Sequence, residues 1–189
     1  MKRQRRAYLR RMADEVLHRL KFFDESGVNL GLTRLYGRAA AGERVVEGTP
    51  GISGQHYTLL ATLGLAGISA PLILPGAITG AIFETYVSDL LGPTLQPGDR
   101  VIIDNLSAHK VAGVREAIEA RGAELVYLPP YSADLNPIEQ CWAKIKQVLR
   151  TAKARTFDTL IEALADALRA ISPADILAWF QHCGYSINS

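Results

Sequence analysis

Between Glu47 and Glu84 the chain carries no Asp, Glu, Lys or Arg, and this charge-free window limits its folding more than any other feature. Residues 59–83 are long enough to cross a bilayer as a helix. Gly64, Gly67, Ser69, Pro71, Pro75 and Gly76 interrupt them every few residues, which breaks a helix and suits short strands joined by turns. The window therefore predicts buried strands over 57–65 and 68–74, paired around Ala66-Gly67, and no membrane span. A chain of 189 residues with 48% hydrophobic and 21% charged side chains also fits one globular domain, and excludes a disordered, collagen-like or coiled-coil protein.

The rest of the first half reads as a meander. Lys21-Phe22-Phe23 predicts a short strand ending in a polar turn at Asp24-Glu25-Ser26-Gly27, and 32–36 a second strand. The second half alternates helical periods with short apolar runs. Thr79 is the expected cap of a helix to Leu91 whose Ile82, Phe83, Tyr86, Val87 and Leu90 share a face. Val101-Ile102-Ile103 reads as a strand buried on both sides and ending at Asp104. A helix over 111–121, stopped by Gly122, then leads to a strand over 125–128, the pattern of a right-handed crossover between parallel strands. Asn136 is the expected N-cap of a helix whose buried stripe is Ile138, Trp142, Ile145 and Leu149. Phe157, Leu160, Ile161, Leu164 and Leu168 form a further stripe, and Ser172-Pro173-Ala174-Asp175 opens a last helix. The fold class is α/β: a mixed sheet, antiparallel meander plus parallel strands, flanked by helices.

The formal charge is only +2, but it is unevenly placed. Lys2, Arg3, Arg5, Arg6, Arg10 and Arg11 all fall within the first twelve residues, with no acid among them. Residues 1–20 are thus a basic arm ahead of a mildly acidic domain over 21–189. Arg3, Arg5, Arg6, Arg10 and Arg11 are candidate DNA-phosphate contacts, with Lys144 and Lys146 as a second set; a solvated terminus and a solvated helix face are the plainer readings. Cys141 and Cys183 are too few and too distant for a disulfide scaffold, and no apolar run follows the N-terminal cations, so a reducing cytoplasm is expected.

Phosphate-loop, zinc-protease, paired-cysteine and serine-hydrolase motifs are all missing. What remains is a set of carboxylates at element ends: Asp24, Asp104 and Glu139. Ligands of open parallel sheets gather beyond the carboxyl ends of the strands, where Asp104 points. If the first strand lies alongside, Asp24 joins it, and Glu139 approaches from a helix start. Three carboxylates together repel unless a cation intervenes, and oxygen-only ligands favour Mg²⁺ or Mn²⁺. Two such ions suit phosphodiester chemistry. Taken singly, each acid has a structural alternative: a turn residue for Asp24 or Asp104, a capping-box partner for Glu139. His109 is a possible neighbour of the site.

Two motifs carry a family resemblance. Val101-Ile102-Ile103-Asp104-Asn105-Leu106-Ser107-Ala108-His109-Lys110, followed by Tyr127-Leu128-Pro129-Pro130-Tyr131-Ser132-Ala133-Asp134-Leu135-Asn136-Pro137-Ile138-Glu139, resembles the DDE transposases of bacterial insertion sequences in the mariner-like superfamily. Phe23-Asp24-Glu25-Ser26-Gly27 looks like their first catalytic motif. The resemblance spans about residues 20–185, with Ala133 where the family usually has Pro. It implies an RNase H-like fold, Asp24, Asp104 and Glu139 as catalytic metal ligands, and metal-dependent cutting and joining of DNA at element ends by a homodimer or larger assembly, in the bacterial cytoplasm at the nucleoid. Family members carry N-terminal helix-turn-helix modules, so the basic arm is expected to be the end of a linker to such a module or to work beside a separate DNA-reading subunit. Two other functions fit the same fold: a non-enzymatic DNA- or partner-binding remnant, and a host nuclease.

Overall fold

The computed structural model describes residues 2–13, 16–49, 54–105 and 112–185. Its centre is a five-stranded mixed sheet of order β3-β2-β1-β4-β5. The strands are β1 (Leu20–Asn29), β2 (His56–Gly64), β3 (Gly67–Pro75), β4 (Arg100–Ile103) and β5 (Glu124–Tyr127). β1 to β3 pair antiparallel, and β1, β4 and β5 pair parallel. The charge-free window supplies the β2–β3 hairpin, whose turn leads into Gly67 at φ +126°, a backbone open to glycine. Pro71 is tolerated because β3 is an edge strand and carries a bulge beside it, with Ala70 at φ +50° and its carbonyl accepting from the Tyr86 hydroxyl at 2.8 Å.

Alternation along each strand sorts the core into two layers. Phe22, Leu59, Ile102 and Val126 face one side, under α1 (Lys2–Ala13), α4 (Ile138–Ala152), α5 (Phe157–Arg169) and α6 (Pro173–His182). Phe23, Leu60, Val101, Ile103 and Leu125 face the other, under α2 (Gly80–Tyr86) and α3 (Ala112–Glu119). No helix among the described residues is long and apolar enough to cross a membrane.

Several local expectations are corrected. The predicted turn at 24–27 is strand: β1 runs on to Asn29 because β2 stays paired with it, Asp24 opposite Ala61. The predicted strand over 32–36 has no partner, and Leu35 and Tyr36 are exposed. The helix from Thr79 is capped as expected, Thr79 Oγ1 accepting from the Ile82 amide at 3.3 Å. It changes to a π-helical turn at Val87–Leu91, and Ile82 lies outside its buried face. In α5 the stripe turns toward Leu160, Ala163 and Ala167, leaving Phe157 and Ile161 exposed at its edge. The capping box at Ser172 and Asp175 is present.

Candidate active site

Register and alternation place two of the three acids. Leu20, Lys21 and Phe22 stand opposite Arg100, Val101 and Ile102. The same offset, carried two residues on, sets Asp24 beside Asp104 just beyond the last paired residues. Both share parity with Phe22 and Ile102, so both face the α4 side of the sheet. There α4 starts with Ile138, fully buried against the sheet, followed by Glu139, whose side chain is exposed to the cavity above. Asp24, Asp104 and Glu139 line one cavity of about 360 Å³ together with Asn105, Tyr131 and Asn136.

The acids strain one another. Burial, then the charges of Glu139 and Asp104, push the Asp24 carboxyl up to about 7, although a backbone hydrogen bond at Glu25 pulls the other way. No Lys, Arg or His is among the described residues lining the cavity. The donor set is all oxygen and fits a hard divalent cation such as Mg²⁺ or Mn²⁺. Among the described residues no three acidic, histidine or cysteine side chains are gathered tightly enough to grip an ion unaided. The carboxylates line the cavity without closing on one point, the spread that mutual repulsion favours.

Asn136 does not cap α4 with its side chain; the helix begins after Pro137, and only the Asn136 carbonyl is used, accepting from the Glu139 amide at 3.1 Å. The side chain is 2% exposed and its Oδ1 has no hydrogen-bond partner, so a buried acceptor stands at the edge of the acidic cavity. A buried polar atom left without a partner is costly, and a bound cation or water is what satisfies such an atom.

The loop from Leu128 to Asn136 is braced by the basic arm. α1 packs Tyr8 and Met12 into the core and half-buries Arg5 and Leu9, a helical stripe. Arg5 grips Asp134 with both terminal nitrogens, at 2.7 and 2.5 Å, and donates to Ser132 Oγ at 3.0 Å. Tyr185 donates its hydroxyl proton to the Leu135 carbonyl at 2.7 Å, so the Tyr8 hydroxyl donates to Tyr185 at 2.9 Å. Arg11 pairs with Glu124. Arg3, Arg6 and Arg10 occupy the outer face of α1. Lys144 is held by Asp175 at 2.6 Å, and Lys146 is half-buried on α4. His109 lies outside the described residues. Sequence reading thus missed Asn136, Tyr131 and the bracing role of Arg5; only the Pro129-Pro130 pair hinted that the loop is stiff.

A family model described as DDE superfamily endonuclease matches residues 19–161. Among curated proteins, the transposable element Tcb2 transposase of Caenorhabditis briggsae is 28% identical over 100 residues, 48% of this chain and 37% of that protein. Among solved structures, a pre-cleavage Mos1 transpososome aligns with a TM-score of 0.77 at 18% identity, over 96% of this chain and 57% of its own. The catalytic domain of Mos1 mariner transposase aligns with a TM-score of 0.70 at 17% identity, over 96% of this chain and 84% of that one. The chain therefore spans about a third of the curated relative and somewhat over half of the transposase in the Mos1 complex. The fold of these neighbours is the RNase H-like mixed sheet described above, and with three quarters of its residues under the family model the chain belongs to the DDE superfamily endonucleases.

Proposed function

We propose that the chain is the catalytic domain of an insertion-sequence transposase that hydrolyses DNA phosphodiesters at element ends and transfers the freed strands to target DNA. One observation carries this reading: in a DDE-family chain, Asp24, Asp104 and Glu139 line one cavity at the end of the parallel strands. Asp24, Asp104 and Glu139 are the catalytic carboxylates and would hold two Mg²⁺ or Mn²⁺ ions, with Asn136 Oδ1 as a neighbouring neutral acceptor. Bound divalent ions would acidify the attacking water or hydroxyl and stabilise the charge on the phosphate and the leaving oxygen. The Asp24 carboxyl, raised to about 7, would give up its proton on holding a cation. The ladder between β1 and β4 keeps Asp24 and Asp104 in fixed register, while Glu139 rides on the first turn of α4, anchored by Ile138. The chain itself thus supplies ligand position.

The Tcb2 relative is a transposable-element transposase, and Mos1 has been solved as a paired-end complex with a transposon end. By analogy, the partners of this chain are element-end DNA, target DNA and a second copy of itself. The exposed cations Arg3, Arg6 and Arg10 on α1 meet the DNA backbone.

The test is nicking and strand transfer on supercoiled plasmid with Mn²⁺, comparing the chain with Glu139→Gln. We expect open-circular product from the first and at least a hundredfold less from the second. Equal activity in both, or nicking that persists in EDTA, overturns the assignment.

A further inference from the structure

One large side chain at the rim of the acidic cavity has no structural occupation. Tyr131 is 90% exposed, and its backbone sits at φ +54°. The left-handed region is unfavourable for a residue with a Cβ, and a tyrosine lacks the short polar side chain that lets Asn or Asp bond locally there. The loop nevertheless imposes this conformation. Pro129 and Pro130 stiffen its entry, Ser132 Oγ donates to the Pro130 carbonyl at 3.2 Å across Tyr131, and Arg5 holds Ser132 and Asp134 beyond it. Ser132 is 3% exposed, so the chain on the far side of Tyr131 is buried while the ring is thrust outward. An anchored loop that spends backbone strain to expose an aromatic ring beside a cavity is the pattern of a ligand-holding residue.

Resting on the phosphodiester reading of this cavity, we propose that Tyr131 is a stacking platform for an unpaired nucleobase next to the phosphodiester held over Asp24, Asp104 and Glu139. The chemistry favours a base over an apolar protein side chain. A base attached to the phosphate in the cavity reaches the rim without a second binding event. Its neutral π-face brings no charge toward the carboxylates, and its stacking on an aromatic ring is sequence-tolerant. The ring needs a base whose face is free, so it selects a single strand, a frayed end or an extruded nucleotide over an intact duplex. The rigid two-torsion side chain on a fixed backbone loses little entropy on binding.

The experiment measures binding by fluorescence anisotropy, with Ca²⁺ to prevent cutting, of the whole chain to a gapped duplex oligonucleotide and to a series in which each unpaired nucleotide in turn is abasic. Tyr131→Ala is expected to weaken binding to the intact strand about tenfold, and Tyr131→Trp and Tyr131→Phe to stay within about twofold. At one abasic position the wild-type chain should lose as much, with no further loss from Tyr131→Ala. The proposal is overturned if Tyr131→Ala binds like wild type, if Tyr131→Phe loses as much as Tyr131→Ala, or if the two losses add at every abasic position. Tyr131→Gly, which suits the left-handed backbone, is expected to melt above Tyr131→Ala, a folding control independent of DNA. Stacking is read without catalysis: loss of the abasic coupling with Glu139-dependent nicking intact sinks the stacking alone, whereas coupling without any nicking sinks the transposase reading.

Discussion

Asp24 shows how the position of one side chain carries a structural cost. Its ordinary carboxyl value of 3.8 is raised to about 7 by burial and by Glu139 and Asp104. The native state therefore holds an extra proton between those values, and stability falls as pH rises from about 4 to 7 and stays low above. Asp24→Asn removes the penalty. At pH 8 in EDTA it is expected to stabilise the fold by about 2 kcal/mol, roughly half of what the full shift represents, since the side chain keeps some solvent. At pH 3.5 the gain should vanish. Urea titrations at the two pH values check this, and an equal gain at both would refute it. Asn136 illustrates the limit of reading at this scale. Asn before Pro and a helical run signals a cap, but its side chain is drawn toward the acidic cavity, where its Oδ1 meets no donor, and that follows from packing and not from local propensity.

At the scale of elements, α1 and the loop before α4 behave as one unit. The Arg5 fork on Asp134 is bidentate, a geometry that lysine's point charge does not reproduce. Because both partners keep solvent contact, Arg5→Ala is expected to cost about 1 kcal/mol. A cycle with Asp134→Ala should show coupling of similar size, with Arg5→Lys recovering little. Additive single and double variants would show that the contact brings no stability. Sequence periodicity found α4, α5 and α6 because their buried faces repeat at helical spacing. It also produced a strand at 32–36 from Leu32, Thr33, Leu35 and Tyr36, which no neighbouring strand pairs. A strand is stable only through its ladder, and the ladder is nonlocal.

For the whole molecule, the near-neutral charge hides a division of labour. Arg5, Arg11 and Lys144 are spent on internal acids, whereas Arg3, Arg6 and Arg10 point away from the core. Replacing these three by Ala together is expected to leave the melting temperature unchanged, weaken binding to any DNA sequence, and reduce the slope of log affinity against log salt by roughly 2–3. Binding isotherms at several salt concentrations measure this. An unchanged slope would place the DNA elsewhere.

The hairpin in the charge-free window, the buried strand ending at Asp104 and the helices after it were all legible from residue order, because alternation and helical spacing are local patterns. Local pattern could not say that β1 continues through Asp24 or that the β1–β4 offset sets Asp24 beside Asp104. Nor could it place Asn136 and Tyr131 at the cavity or dock the basic segment as a brace on the loop before Glu139. These depend on which strands pair, in what register, and which surfaces remain to be covered once they have paired, and the free energies that settle such choices come from contacts between residues far apart in the chain.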